Sequence, residues 1–122
     1  MSQIFVFGSN REGRHGRGAA LEALKNHGAI YGNPQGLQGR SYAIVTKELR
    51  SNKAPVTLEE VKNGVQEFLE FAKNNPQHTF NVTRVGCGLA GFKDSQIAPL
   101  FKMEGDLPVN VIIPKEWHQI LY

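Results

Sequence analysis

Along this chain, short apolar runs rich in β-branched and aromatic residues alternate with longer stretches in which apolar residues recur at helical spacing. Gln3-Ile-Phe-Val-Phe7 is the first such run and Gly8-Ser9-Asn10 stops it, which predicts a buried strand entering a loop that extends to about Gly18. Ala19 to Lys25 are good helix formers with Ala20, Leu21 and Leu24 on one face, and Asn26-His27-Gly28 supplies a stop. Residues 31–40 (YGNPQGLQGR) carry glycines and a proline without any period, so they read as an irregular connection to the strand Ser41 to Thr46. Lys47 stands just past its end.

Thr57 and Glu60 have capping-box spacing, and Leu58, Val61, Val65, Phe68, Leu69 and Ala72 form one helical stripe before Asn74-Asn75-Pro76 ends it. Thr79 to Val85 is the next strand, followed by the glycine-rich Gly86-Cys-Gly-Leu-Ala-Gly91. Asp94 is expected to cap a helix over residues 95–101, Val109 to Ile113 is the last strand, and residues 114–117 start a short helical turn. Strands alternating with helices imply an α/β fold of three layers, α/β/α, around a mostly parallel mixed sheet covered on both faces.

Composition narrows the class. A chain of 122 residues is expected to form one domain, residues 1–122, large enough to hold a core without disulfide staples. No apolar run approaches the roughly 18 residues needed to cross a bilayer, and the start lacks the basic and apolar regions of a signal peptide. With a lone cysteine this points to a cytoplasmic protein without membrane contact. The formal charge of +3 is mild, but Arg11, Arg14, Arg17 and Lys25 cluster within or just after the first glycine-rich loop, where an anion or a nucleic acid would meet them.

Ligands of open α/β sheets bind beyond the carboxyl ends of the strands, and both glycine loops and Lys47 leave strands at that edge. Glycines let a ligand approach the main chain, and the free N–H groups opening a helix favour phosphate, so two such loops side by side suit a diphosphate. Gly86-x-Gly88-x-x-Gly91 is formally a GxGxxG. It does not fit a dinucleotide fingerprint, because only one strand follows and Glu104 and Asp106 precede that strand. The first loop lacks the Gly-Lys-Ser/Thr ending of a P-loop.

Cys87 reads first as a small packing residue, while a nucleophilic role requires the fold to bring it a base from among His15, His27, His78 and His118. These histidines show no metal-ligand spacing, so neither a metal nor another cofactor is expected. Lys47, if partly withdrawn from water at the ligand edge, would supply an amine nucleophile or proton donor.

Three segments, Gly16-Arg-Gly-Ala-Ala20, Tyr42-Ala-Ile-Val-Thr-Lys47 and Arg84-Val-Gly-Cys-Gly-Leu89, stand in an order and spacing that resembles the macrodomain family from about Ile4 to Ile113. The likeness is to the branch that holds the terminal ADP-ribose protein glycohydrolase and the DarG antitoxin, which removes ADP-ribose from DNA bases. It implies ADP-ribose, or ADP-ribosylated DNA or protein, as ligand, and Lys47 as the catalytic residue. It also implies a binding surface made by Gly8, Ser9, Asn10, Gly16, Gly18 and Ala19 on one side. On the other side stand Thr46, Gly86, Cys87, Gly88, Leu89, Ala90, Gly91 and Phe92, with Asn10 near the distal ribose. Breaking a glycosidic bond develops oxocarbenium character, and an amine there attacks or protonates while the loops fix the sugar.

The chain departs from that family twice. Ala90 stands where the protein glycohydrolase has an aspartate acting with its lysine, whereas DarG has glycine there. The sequence also starts directly at the strand before the first loop, without the strand pair and adenine-reading aspartate that usually precede it, so an N-terminally shortened fold is expected. A hydrolase of ADP-ribosyl bonds is the leading expectation. A module that only binds or sequesters ADP-ribose or a derived nucleotide is the alternative, and a nucleic-acid-binding domain using Arg11, Arg14 and Arg17 is a third reading.

Overall fold

The structure, a computed structural model, describes residues 2–122. Its elements are β1 (Ser2–Asn10), α1 (Gly18–Asn26), β2 (Gly36–Gln38), β3 (Ser41–Lys47), α2 (Leu58–Lys73), β4 (His78–Val82), α3 (Asp94–Ile97), β5 (Val111–Ile112) and α4 (His118–Leu121). The five strands form one sheet in the order β2-β3-β1-β4-β5. β1 pairs in parallel with β3 and with β4, β4 pairs in parallel with β5, and among the described strands only β2 runs antiparallel, against β3. The fold is therefore α/β with a mixed, mostly parallel sheet, and the carboxyl ends of β1, β3 and β4 point the same way.

Strand alternation sorts the sheet side chains between two cores. On one face Ile4, Val6, Tyr42, Ile44, Phe80, Val82 and Val111 pack against the apolar stripe of α2 and against Ile97, Phe101 and Trp117. Phe68 is the centre, fully buried with its ring edge-on to Tyr42 at 5.1 Å and Phe80 at 5.5 Å. The expected capping box starts α2: the Glu60 N–H donates to Thr57 Oγ1 at 3.1 Å and the Thr57 N–H to Glu60 Oε1 at 3.2 Å. The opposite face holds a smaller cluster, in which Phe7 and Ala43 pack under Ala20 and Ala23 of α1.

Several boundaries differ from the sequence expectation. Gly8-Ser9-Asn10 extends β1 rather than stopping it, because pairing with β3 continues to Asn10 opposite Lys47. β2 lies inside the stretch read as irregular. β4 ends at Val82: both the N–H and hydroxyl of Thr83 bond the Val6 carbonyl, and the Val85 N–H donates to the Thr83 carbonyl at 2.7 Å, turning the chain out of the sheet. β5 is only two residues long, since Val109-Asn110 form a turn and the Asn110 amide donates to the carbonyls of Ala72, Asn75 and His78.

The helix expected over 95–101 is split into α3 and a 3-10 turn over Ala98–Phe101, where Pro99 has no N–H to continue an α-helix. Asp94 is not its cap. It is the first helical residue, after Lys93, and its carboxylate is drawn away to Arg84 and Trp117.

Candidate functional site at the carboxyl edge of the sheet

A cavity of about 600 Å³ opens over the ends of β1, β3 and β4. Its floor depends on Gly8, where an added Cβ would stand 3.0 Å from Thr46 Oγ1 and 3.2 Å from the Gly86 nitrogen, so only glycine lets the three strand ends draw this close. Thr46 is buried and its hydroxyl donates to the Ser9 carbonyl at 3.2 Å, fixing β3 to β1. The register between these strands slips after Ser9, leaving an extra residue on β3 and carrying Lys47 to the cavity rim.

The first wall runs from Arg14 to Ala20. Asn10 organises it: its Nδ2 donates to the Arg14 carbonyl at 2.8 Å and its Oδ1 accepts the Arg14 N–H at 2.9 Å. His15 sits fully buried beneath, edge-on to Phe7 at 5.3 Å. Burial holds its pKa below the usual imidazole value. The wall ends where α1 begins, at Gly18, whose φ is +56°. Arg17 precedes the helix in an extended conformation and makes no side-chain capping bond, and the first turn holds no acidic residue. The opening N–H groups of α1, at Gly18, Ala19 and Ala20, are thus left to the cavity that these residues line.

The second wall is the loop after β4. Its internal hydrogen bonds use the N–H groups of Cys87 (to Arg84), Gly91 (to Gly88) and Phe92 (to Gly86). No hydrogen bond among the described residues uses the N–H groups of Gly86, Gly88, Leu89 or Ala90, all of which belong to the cavity lining. Gly86 has φ +76°, and a Cβ there would come within 3.3 Å of Phe92 and 3.4 Å of Ile97. Two sets of N–H groups without a bonded partner among the described residues therefore belong to residues that line one cavity. Such an arrangement attracts an anion, and its breadth suits more than one phosphate.

Of the residues singled out from sequence, Gly8, Ser9, Asn10, Gly16, Gly18, Ala19, Thr46, Lys47, Gly86, Gly88, Leu89 and Ala90 come together around this cavity. Cys87, Gly91 and Phe92 do not line it. Cys87 and Phe92 pack instead against the main core. Burial, with the Asp94 carboxylate adding to it, pushes the Cys87 thiol up to about 12, and its Sγ donates to the Val85 carbonyl at 3.5 Å. The thiol is a packing group here. Lys47 Nζ donates to the Leu89 carbonyl at 3.0 Å, so the tip of the second loop leans over the lysine.

The basic residues divide. Arg11 is held within the fold: its guanidinium bonds Glu48 at 3.0 Å, Glu60 at 2.7 Å and the Ala54 carbonyl, and its N–H donates to the Lys47 carbonyl at 3.1 Å. Glu48, 2% exposed, also binds Arg50, whose side chain and backbone hold its pKa at about 2. Glu48 is thus a fixed carboxylate that anchors the segment after Lys47. Arg14 and Arg17 remain at the cavity. Arg14 stands 3.4 Å from Glu12 and 61% exposed. Among the described residues, no group of three or more histidine, cysteine, aspartate or glutamate side chains is placed to hold a metal ion, and no helix is long and apolar enough to cross a membrane.

Two solved structures share this arrangement of elements. DarTG of Thermosipho africanus, in complex with ADP-ribose, superposes with a TM-score of 0.60 at 17% identity over 94% of the present chain. The fold is macrodomain-like. The chain spans 39% of the length of that DarTG chain. A protein of unknown function from Bacteroides thetaiotaomicron superposes with a TM-score of 0.59 at 16% identity, covering 93% of this chain and 88% of that one. No protein-family model matches the sequence, and no curated protein matches it.

Tyr31, Leu49, Thr83, Arg84 and Val85 also line the cavity, beyond the residues that the sequence points to. Tyr31 sits in a segment tied to the first loop by the pairing of Gly32 with Gly13, which no local pattern signals, while Leu49 lies two residues past the end of β3. Arg84 was within reach: it follows β4 much as Lys47 ends β3, at the same edge.

Proposed function

We propose that the cavity binds ADP-ribose and that the chain is an ADP-ribosyl glycohydrolase with Lys47 as its catalytic residue. What carries this reading is that two sets of N–H groups without a bonded partner among the described residues, at the start of α1 and in the loop over residues 86–90, belong to residues lining one cavity together with the Lys47 amine. The diphosphate spans the two walls, and the ribose beyond it meets Lys47. The ADP-ribose bound by the structural neighbour DarTG supports the choice of ligand. A second hollow of about 330 Å³ shares Thr46, Lys47 and Ala90 with the main cavity, which gives the group attached to the sugar a place outside the diphosphate clamp.

In this reading Lys47 acts where the C1″ bond breaks, protonating the departing base or side chain while water adds to the anomeric carbon, and the loops hold the sugar as positive charge develops. Lys47 must leave the Leu89 carbonyl to do so. A second reading, a module that binds ADP-ribose without turnover, draws on one observation: among the described residues no carboxylate bonds Lys47, whose amine meets the Leu89 carbonyl, while position 90 is alanine and Glu48 is tied to Arg50 and Arg11.

Incubation with ADP-ribosylated DNA and ADP-ribosylated protein, side by side, separates the two. Hydrolysis by the native chain, lost at least 100-fold in Lys47→Ala with ADP-ribose binding retained, supports the hydrolase. Binding without turnover of either substrate supports the module.

A further inference from the structure

Arg84 is the cavity residue whose surroundings are most fully specified. Its Nε donates to Asp94 Oδ1 at 3.0 Å and its Nη2 to Asp94 Oδ2 at 2.6 Å. Asp94 Oδ1 also accepts the indole N–H of Trp117 at 2.7 Å, and that tryptophan is completely buried. The guanidinium is therefore held in a fixed plane by a carboxylate that is itself anchored to the core. Its side chain remains 47% exposed, and no hydrogen bond among the described residues uses Nη1.

The charge of this group is already answered. Asp94 pairs with it through both oxygens, and the field of Glu116 adds to the same side. A compensated guanidinium is a poor phosphate ligand beside two walls of unbonded N–H groups, but its flat face still stacks on aromatic rings and its free edge still donates. Position adds a second argument. The tip of the second loop touches Lys47 through the Leu89 carbonyl, while Arg84 lies at the base of the same loop, next to β4 and on the far side of β1 from β3. Lys47 and Arg84 thus line the cavity from the two strands that flank β1. A diphosphate clamped between the walls with its reacting sugar at Lys47 sends its nucleoside toward Arg84.

We infer that Arg84 receives the nucleobase of the bound nucleotide, stacking its guanidinium plane on the ring and donating from Nη1 to a ring nitrogen, with Asp94 and Trp117 as the residues that position it. This rests on the reading of the cavity as an ADP-ribose site. Stacking of bases on arginine planes is a general mode of recognition.

Calorimetry with two ligands tests it: ADP-ribose, and ribose 5-diphosphate, which keeps the phosphates but lacks the nucleoside. Arg84→Ala is expected to weaken ADP-ribose at least 10-fold and to leave ribose 5-diphosphate within about twofold. Arg84→Lys is expected not to restore binding, because an ammonium has no plane. Asp94→Asn, which keeps an acceptor for the Trp117 indole, is expected to show the same split between ligands in smaller degree. Equal losses for both ligands, recovery in Arg84→Lys, or native affinity for ADP-ribose in Arg84→Ala would overturn the inference. If the native chain binds ribose 5-diphosphate as tightly as ADP-ribose, the inference fails while the phosphate site stands. Should it bind neither ligand, the ADP-ribose reading itself is at fault.

Discussion

Gly16 and Gly18, two residues apart in the first wall, separate backbone strain from crowding. A Cβ added at either position meets nothing within 4 Å, so neither substitution by alanine creates a clash. Only Gly18 has a left-handed backbone, with φ +56°. An alanine there carries a strain of about 1–2 kcal/mol. At Gly16 the same change restricts the unfolded chain without straining the fold and is expected to gain about 0.4–1 kcal/mol. Unfolding entropy of about 2.1 cal/mol/K per residue converts each kcal/mol into roughly 4 °C of Tm at this size. Both alanines restrict the unfolded chain alike, so Gly18→Ala and Gly16→Ala are expected to melt about 4–8 °C apart by the strain alone, with Gly16→Ala the higher. If the free variant instead relaxes out of the left-handed turn, the strain reappears when the ligand orders the wall, as ADP-ribose binding weakened about 5–30-fold. Thermal melting with parallel calorimetry reads both. Gly18→Ala that melts with Gly16→Ala and binds ADP-ribose equally well would refute the left-handed opening of α1 as part of the site.

Other consequences follow from single contacts. Gly86→Ala adds a methyl at φ +76° against Phe92 and Ile97 and is expected to cost about 1–2 kcal/mol, together with a measurable loss of ADP-ribose affinity. Cys87, with its thiol pushed up to about 12, is expected to react with iodoacetamide at pH 8 at least 10-fold more slowly than a free thiol, and Cys87→Ala to keep native binding. The Asp94 carboxylate, held at about 2 by its hydrogen bonds to Arg84 and then to Trp117, lies below its unfolded value, so its contribution is complete above about pH 4 and lost as pH falls toward 2. Allowing for solvent around the pair, that amounts to about 1–2 kcal/mol, and acid titration of stability is expected to flatten over this window in Asp94→Asn.

Those parts of the fold governed by local periodicity were legible. The stripe of α2 and its capping box, the strand before each glycine loop and the gathering of Lys47 with both loops at one edge all follow from residue spacing and the rule that parallel strands share an edge. The sequence misled where a distant partner decides the outcome. Asp94 has the spacing of a helix cap, but Arg84, ten positions back, and Trp117, well down the chain, take its carboxylate. Arg11 looked like an open basic residue, yet Glu48 and Glu60 hold it. Gly36–Gln38 is too short for any alternation to show and forms a strand only because β3 offers it an edge. Cys87 lies between two glycines that line the cavity, and only the turn of the loop directs its side chain into the core.

In the proposed complex the N–H groups of the two walls that are unbonded among the described residues hold the diphosphate of ADP-ribose. Amide-resolved NMR titration with ADP-ribose addresses it atom by atom. The amides of Gly18, Ala19, Gly88, Leu89 and Ala90 are expected to shift most as they gain phosphate acceptors, with those of Cys87, Gly91 and Phe92, already bonded within the loop, moving little. Saturable binding that leaves the first set unmoved, or no binding at millimolar ligand, would contradict the account.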